Sequence, residues 1–319
     1  MAVYETSSTV FPRADLAGAY SAFDAVNQGF VADFVLPRLS INEEAGVYTV
    51  IPREVWTARV DTKVASKAPS STSDWTTDND TFQLVEYRHK GLVVSRDARR
   101  YRSFFDAEEI ETRRVAGIVA RDREIDTATA VFNTTTFGTA GVNRTSLSTP
   151  WDASGGTPVS DVEAAKYALV QNYGTLANTL IITYYGLAKL MASTEFKGYF
   201  TDMFGDTLIG LPPISALQRI FGLENIIVPR GVYNSANPGA TLSMTAIWNE
   251  DYAMVCRIES GMDLNVPQLG RTLTLDGMGP EITSWDNDDP EGVWIRAKEL
   301  IQPKLTKTPI GHLITNTKT

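Results

Sequence analysis

Cysteine and histidine are scarce in this sequence of 319 residues, in which Cys256, His89 and His312 are the only examples. A single cysteine cannot form a disulfide or a cysteine-rich zinc site within one chain. No Gly-x-Ser-x-Gly motif accompanies the histidines, so a Ser/His/Asp triad is not indicated. We interpret both histidines as ordinary, partly exposed side chains and Cys256 as a buried core thiol.

Long apolar runs are also missing. No stretch approaches the ~18 to 20 apolar residues that a membrane-spanning helix needs. The N-terminus combines neither a basic head nor an apolar stretch, so it does not resemble a secretory signal. We therefore expect a soluble protein that is made without a secretory signal and has no membrane partner.

The usual nucleotide and metal motifs are absent as well. No Gly-Lys-Ser or Gly-Lys-Thr cradle occurs, and Gly277 and Gly279 are followed by Pro280 rather than by a helix. Four acids near the C-terminus lack the spacing of a calcium-binding loop and indicate a solvated turn: Asp286, Asp288, Asp289 and Glu291. We expect no catalytic residue, no cofactor and no metal.

What is present is a globular composition with an uneven charge. The chain is 43% hydrophobic and 21% charged, with a net charge of −9. Residues 1–52 carry −4, residues 53–102 carry +3 and the remainder carries −8. Phosphate binding draws on clustered Lys and Arg, so an acidic chain is not expected to hold nucleic acid through its overall field. A positive segment in an acidic chain favours self-association instead.

The clearest local pattern predicts one unusually long helix over residues 106–132. Acids crowd its first turns, where the helix dipole favours negative charge, and no proline interrupts it. Its apolar stripe consists of Ile118, Ile125 and Phe132, widened by Val115, Ala128 and Val131. Charged residues are predicted to face water or neighbours: Arg121, Asp122, Arg123, Glu124 and Asp126. At ~1.5 Å per residue the helix spans about 40 Å, so we expect a sheet or loop layer along it.

An arm and a hairpin are predicted before this helix. Residues 1–20 show no sustained period and indicate an extended arm, and residues 20–34 predict a short amphipathic helix. Three segments rich in strand formers surround a polar tip: residues 46–52, 55–60 and 82–94 around 66–80. This pattern predicts a long two-stranded hairpin. An isolated hairpin is marginal in water, so its projection implies a neighbour on which it lies.

After the long helix, residues 133–156 predict a long loop rich in Thr, Ser, Gly and Asn. Ser160 and Glu163 fit a capping box for a helix that ends near residue 173. Strands and helices then alternate, which indicates a small α/β layer: strands at 179–184 and 225–228, helices at 186–191 and 214–221. The last third is predicted to consist mostly of strands, at residues 242–248, 252–258, 271–275, 292–300 and 312–315. Some of these strands are expected to return to the sheet along the long helix.

Several segments carry a resemblance that extends over nearly the whole chain. They are RRVAGIVARDREIDTATAVFN in the long helix, NTLIITYYGLAKLMAS, ISALQRIFGLENIIVPRGVYNSANPG, MTAIWNEDYAMVCRI and the closing GVWIRAKELIQPKLTKTPIGHLITN. Their order resembles that of the major capsid proteins of tailed bacteriophages, which have the HK97-like fold. The implied class is α+β, with an N-terminal arm, a long β-hairpin (E-loop), a spine helix with a β-sheet in a peripheral domain, and an α/β axial domain.

By this resemblance the chain divides into segments with distinct places in the fold: 1–44 the arm and short helix, 45–95 the extended hairpin, 96–155 the peripheral domain with the spine helix, 156–280 the axial domain, and 281–319 strands returning to the peripheral domain. The resemblance also implies a structural, non-enzymatic role. The chain would self-assemble, as pentamers and hexamers, into the icosahedral head of a tailed phage in the cytoplasm of a bacterial host. The virion would enclose dsDNA without sequence-specific binding.

The resemblance also implies portal, scaffolding or decoration proteins as further partners. We hypothesise that basic side chains around the hairpin and the turn after it make the intersubunit contacts: Arg59, Lys63, Lys67, Arg88, Lys90, Arg99, Arg100 and Arg102. Two alternatives stay open. Encapsulin compartments share this fold and enclose enzymes in place of DNA, and an α/β enzyme with an unrecognised site is the third possibility.

Overall fold

A computed structural model describes residues 11–12, 29–52, 55, 57–64, 66, 69–74, 76–101, 106–205, 212–237, 239–261, 266–276 and 280–318. Most of the predicted arm and of the predicted helix at 20–34 lie outside these residues, as do Lys67 and Arg102.

The described residues form an α+β fold with one long helix. The helices are α1 (Ala32–Val35), α2 (Ser95–Tyr101), α3 (Ala107–Val131), α4 (Pro158–Tyr173), α5 (Tyr184–Ala192), α6 (Thr194–Phe204) and α7 (Ile214–Phe221). The strands are β1 (Phe11–Pro12), β2 (Arg38–Ile41), β3 (Ala45–Val50), β4 (Asp78–Gln83), β5 (Val85–Val94), β6 (Arg144–Ser146), β7 (Thr179–Ile182), β8 (Asn225–Ile227), β9 (Val232–Asn234), β10 (Met244–Ala246), β11 (Tyr252–Cys256), β12 (Gly270–Leu275), β13 (Glu281–Asp288), β14 (Glu291–Leu305) and β15 (Gly311–Thr315).

Helix α3 is the predicted spine, and its predicted bounds are confirmed. The Asp106 side chain accepts a hydrogen bond of 2.9 Å from the backbone N–H of Glu108, as an N-cap does. Its first half packs against the six-stranded sheet through Val115 and Val119. Its last turns pack beneath the five-stranded sheet. The spine therefore joins the two sheets.

The buried face of α3 differs from the predicted stripe. Ile118 and Ile125, predicted within it, are only half-buried, whereas Arg123 and Glu124, predicted to face water, are buried. The stripe prediction was wrong here because the helix contacts elements on more than one side. Polar groups on those elements meet the two charged side chains, as described below.

Strand β14 organises the six-stranded sheet. β5 pairs antiparallel with it over residues 85–94, and β13 and β12 pair with successive parts of its other side. β2 lies parallel to β12, and β1 pairs with the free edge of β13. The Glu111 carboxylate of α3 occupies the space beside Gly91 of β5, so the helix and the strand lie close together there. The predicted sheet along the helix is thus confirmed.

The five-stranded sheet has the order β6, β15, β11, β7, β8 and is covered on both faces. Ala253 and Val255 of β11 face the core formed with helices α4 to α7. Met254 and Cys256 face the opposite way, toward the end of α3 and Trp248. Cys256 is therefore a buried thiol, as predicted, and burial raises its pKa.

Most predicted elements of the α/β layer are present, but several details differ. The capping box at Ser160 and Glu163 is wrong, because α4 begins at Pro158 and the carboxylate of Glu195 accepts the N–H of Val159 (2.7 Å) instead. The described part of residues 55–60 forms no strand. The predicted strand at 82–94 is divided at Leu84 into β4 and β5. Helix α6 and strands β2, β6, β9 and β13 were not predicted, and the predicted turn after the hairpin is helix α2.

The division between segments 156–280 and 281–319 also differs from the expectation. β12 belongs to the first segment but pairs with β14 in the sheet along the spine. β15 belongs to the second but lies between β11 and β6 in the five-stranded sheet. A strand is placed by the edge that can hydrogen-bond it, and not by its position along the chain. The chain therefore crosses between the two sheets after β11 and again after β14.

His312 on β15 is buried, against the prediction of a partly exposed side chain, whereas His89 on β5 is half-buried. The His312 Nδ1–H donates to the carbonyl of Val142 (3.2 Å), and its Nε2 accepts from the hydroxyl of Thr145 (2.8 Å). Burial lowers the pKa of His312. The neutral ring thus joins β15 to the segment that contains β6.

The stability of the protein is expected to depend on His312 in mild acid. The unfolded chain binds the proton near the ordinary histidine pKa of ~6.5, above the folded pKa, so the unfolding free energy falls as the pH drops below about 6.5. His312→Gln, which cannot titrate, should show a smaller fall in urea-unfolding experiments. Equal pH slopes for the variant and the wild type would contradict this assignment.

A second expected effect concerns Gly292, at the start of β14. A Cβ there would overlap the carbonyl oxygen of Val93 on β5, and backbone atoms cannot move aside cheaply. Gly292→Ala should destabilise the fold by about 1 to 3 kcal/mol. Gly198→Ala is the matched control, because Gly198 lies in α6 with open space around it and alanine favours helix. Similar urea midpoints for both variants would contradict the close β5–β14 approach.

Candidate assembly surfaces

A hairpin projects from the six-stranded sheet. β3 and β4 pair antiparallel from Ala45–Gln83 to Val50–Asp78, and every described residue between 57 and 79 is exposed. Val60 and Val64 on the projection are 41% and 52% exposed. A segment whose described residues are exposed, with apolar side chains among them, is suited to contact another surface.

The base of this hairpin is fixed to the body by ion pairs. Lys304 on β14 lies 2.9 Å from Asp80, and Lys307 lies 2.6 Å from Asp78. The Tyr48 hydroxyl also donates to Asp80 at 2.6 Å. Burial alone would raise the pKa of Asp80, but the hydrogen bonds from Tyr48 and Lys304 outweigh it and hold that pKa below its ordinary value.

The structure separates the basic residues that the sequence groups together. Arg59 and Lys63 are exposed on the projection, beside Asp61, whose carboxylate accepts the Lys63 backbone N–H at 3.0 Å. Arg88 and Lys90 instead lie on β5, within the sheet of the body. Their predicted place on the projection is wrong, because the chain leaves the hairpin at Leu84 and pairs with β14 from there onward.

Arg88 and Lys90 contribute to an open sheet face opposite α3. Lys90 lies 4.4 Å above the ring of Trp294 and is directly paired with Arg296 across the strands. Trp285 on β13 stacks beside Trp294, with ring centroids 6.4 Å apart. Arg88 is paired with Glu86 at 3.3 Å and is largely exposed. This face is basic and aromatic.

Arg99 and Arg100 are exposed on α2, away from the hairpin. Arg99 lies 3.7 Å from Glu291, within the same chain. Glu291 follows the turn that joins β13 to β14, where the predicted acidic turn is found: Asp286, Asp288, Asp289 and Glu291, all exposed. Across the described residues, no group of three or more His, Cys, Asp or Glu side chains is arranged to hold a metal ion.

The sequence did not reveal the buried charges of α3. Glu124 accepts hydrogen bonds from the backbone N–H groups of Val31 (3.0 Å) and Ala32 (2.8 Å) and from the indole of Trp248 (2.6 Å). Burial raises the pKa of Glu124, although these bonds act against it. The helical repeat could have indicated that Glu124 is buried, because it lies four residues after Ala120 and four before Ala128, and both alanines are buried.

Arg123, beside it, joins a second set of charges. Its guanidinium lies 2.9 Å from Asp33 and 3.3 Å from Glu299 on β14. Arg38 on β2 contacts the same two carboxylates, at 3.0 and 2.6 Å. These four side chains bind α1 and β2 to the spine and to the sheet. They form a structural network, since each charge is matched by an opposite one.

A surface depression of about 520 Å³, lined by residues 151–157 and by residues 189 and 192–195, is a candidate enzyme site. Trp151, Lys189 and Glu195 contribute to its lining. Lys189 is paired with Asp152 at 3.4 Å, and Glu195 accepts the N–H groups that begin α4. Its charged groups thus satisfy local structure, and no nucleophile with an adjacent base is among its lining residues. No helix within the described ranges is long and apolar enough to span a bilayer.

Comparisons with known proteins identify the fold. No family model matches the chain. The major capsid protein of Pseudomonas phage JBD67 is 20% identical over 297 residues, which cover 91% of this chain and 92% of that protein. A phage-related protein from Bordetella bronchiseptica RB50 has a TM-score of 0.73 at 16% identity, covering 97% of this chain and 98% of that one.

Shell structures are also similar. The capsid of Cyanophage P-SCSP1u has a TM-score of 0.57 at 11% identity, covering 88% and 86% of the two chains. The SrpI encapsulin from Synechococcus elongatus PCC 7942 has a TM-score of 0.50 at 10% identity, covering 99% and 93%. With the element order above, these similarities show an α+β HK97-like capsid fold.

The ion pairs at the hairpin base predict a response to acid. Because the pKa of Asp80 is depressed in the folded state, its contribution to stability is present above the ordinary aspartate pKa of ~3.9 and is lost as the pH falls through the folded pKa. Lys304→Met removes the pairing partner and should loosen the hairpin even at neutral pH. Amide hydrogen exchange of residues 45–50 and 78–83 measures both effects. Unchanged exchange in Lys304→Met would contradict the role of the pair.

Proposed function

We propose that this chain is the structural major capsid protein that self-assembles into the icosahedral head of a tailed phage and encloses its dsDNA. The observation that carries the proposal is the coverage of the similarities, which extend over about nine tenths of the chain and of a phage major capsid protein. As a capsid protein, the chain would be located in the virion. Its role is structural and not enzymatic, and its first partner is itself.

The projecting hairpin supports this assembly role. Its described residues from 57 to 79 are exposed, and its base is joined to the body by the ion pairs of Lys304 and Lys307. In a shell the hairpin lies over an adjacent copy, so that each chain covers one neighbour and is covered by another. Many weak contacts then add up through multivalency. Closed symmetry occupies each heterologous surface, which would otherwise extend as an open polymer.

Finer parts of the proposal follow from the same role. The copies form pentamers and hexamers in the cytoplasm of a bacterial host, with portal, scaffolding or decoration proteins as further partners. The DNA is enclosed without sequence-specific binding. The net charge of −9 supports this, because an acidic chain repels phosphates overall.

The second candidate is an encapsulin-type compartment, which the similarity to the SrpI encapsulin favours. Negative-stain electron microscopy with sedimentation, on the chain alone and expressed with its neighbouring genes, tests both functions. Closed shells of uniform size support assembly. Nuclease-protected DNA inside particles supports the capsid, and an enzyme cargo without DNA supports the encapsulin. Small species under both conditions would contradict both.

The basic residues are expected to differ in their effect on assembly according to their place. Arg59→Glu with Lys63→Glu should lower the sedimentable shell fraction several-fold, because reversed charges on the projection meet every neighbouring copy. Arg88→Glu with Lys90→Glu applies the same charge reversal to the open sheet face, and Arg99→Glu with Arg100→Glu applies it to α2. The sedimentable shell fraction is measured for each variant.

The matched control is Arg113→Glu with Lys197→Glu, which makes the same charge change at exposed positions on α3 and α6. It should leave the shell fraction near that of the wild type. An equal loss in the control would show that net charge, and not position, governs assembly. Normal assembly of all three test variants would refute the contact hypothesis.

A further inference from the structure

Leu176 is a large apolar side chain that is 69% exposed, in the loop of residues 174–178 between α4 and β7. Two contacts fix this loop. Gly174 ends α4 in the left-handed conformation, with φ +62°, and Arg257 donates a hydrogen bond of 3.1 Å to the carbonyl of Leu176. A leucine that a fixed loop presents to water is suited to enter an apolar depression on another surface.

A negative charge lies beside this loop. The carbonyl of Asn178 accepts the backbone N–H of Asn225 at 3.0 Å, so the start of β8 lies next to the start of β7. Glu224, which precedes Asn225, is exposed and forms no ion pair with another residue that the structure describes. The 174–178 loop thus combines a protruding leucine with an adjacent unpaired carboxylate.

A depression of about 460 Å³ lies at the opposite end of the same two strands, and we name it the tyrosine pocket. It is lined by residues 183–185 and 229–232 and by residues 246, 248 and 250. Tyr184 and Tyr185, at the start of α5, are 49% and 39% exposed, and Val232 on β9 is 43% exposed. The pocket therefore presents apolar and aromatic surface to its surroundings.

The charges of the tyrosine pocket leave one cation unmatched. Glu250 is paired with Lys318 at 3.1 Å, and the Lys318 Nζ lies 4.9 Å from the centre of the Tyr185 ring. Arg230 is exposed and has no ion pair within the described part of the chain. The pocket thus combines apolar surface with an unpaired positive charge, which complements the 174–178 loop and Glu224.

The two surfaces cannot meet within one chain. Glu224 and Arg230 lie before and after β8, six residues apart, so their Cα atoms are separated by roughly 15 to 20 Å at ~3.3 Å per residue. A contact between the two surfaces therefore requires a second copy. Because the surfaces differ, this contact is heterologous, and its repetition around an axis closes a ring of copies.

We propose that the 174–178 loop of one copy inserts Leu176 into the tyrosine pocket of the next copy, with Glu224 placed against Arg230. The inference rests on the proposed function, because it concerns neighbouring copies in a shell. Both halves of the complementary pair belong to this chain, which favours a second copy over any other partner. Apolar burial then holds the copies together, and the charge pair sets their register.

A cross-linking experiment measures this contact directly. Leu176→Cys and Val232→Cys are combined in the full chain, whose native Cys256 is buried. Treating assembled shells with a short thiol-to-thiol cross-linker should give a ladder of covalent oligomers on denaturing gels. The matched control combines Leu176→Cys with Tyr199→Cys, which places the second thiol at a similarly exposed position on α6 and should give little cross-linking.

A charge exchange tests the pair of Glu224 and Arg230. Glu224→Arg and Arg230→Glu should each lower the sedimentable shell fraction several-fold, because like charges then meet at every contact. The double variant restores opposite charges and should recover most of the wild-type fraction. Both side chains are exposed, so the urea midpoints of all three variants should stay near that of the wild type.

Several outcomes would overturn the inference and leave the proposed function standing. They are shells without the ladder, an equal ladder in the control, cross-linking of Leu176→Cys to a different protein, and a double variant that assembles no better than the single ones. If the wild-type chain forms no shells, the proposed function fails. A ladder from the test pair alone would then still support the contact between copies, and its absence would overturn the inference as well.

Discussion

Two adjacent buried charges on the long helix, Arg123 and Glu124, constrain most of the body. A buried charge is stable only when hydrogen bonds and opposite charges replace the water it has lost. The partners here lie on α1, on β14 and in the segment of Trp248, and Arg38 of β2 shares the two carboxylates that bind Arg123. All of these elements must therefore be in place together. Breaking one buried pair by removing a single partner typically costs about 3 to 5 kcal/mol.

The path of the chain strengthens this dependence. The six-stranded sheet takes β2 and β5 from before the spine and β12 to β14 from near the C-terminus, and the five-stranded sheet takes β15 from beyond them, so neither sheet is formed from one continuous stretch. The two sheets and the spine then behave as one body, in which long-range pairs dominate. The hairpin is the contrasting part, since Asp78 and Asp80 at its base are held by two lysines while its described tip is exposed. A rigid body with an exposed projection suits contacts between identical copies.

The sequence predicted those features that depend on local pattern. The bounds of α3 follow from its acidic first turn and the lack of proline, and α7 follows from the spacing of Leu217, Ile220 and Phe221. Features that depend on distant partners were not predictable in this way. Arg123 and Glu124 read as solvent-facing because their partners lie about 90 or more residues away in sequence. The position of Arg88 and Lys90 depends on where the hairpin ends. It ends at Leu84, whose backbone N–H donates to the carbonyl of Glu44.

The central claim is that copies of this chain cover one another in a closed shell. Electron cryomicroscopy of purified particles, at a resolution that traces the backbone, tests it most directly. The account predicts α3 running along the shell wall and the described, exposed residues between 57 and 79 lying over an adjacent copy. A hairpin folded back onto its own chain, with no neighbour beneath it, would contradict the account.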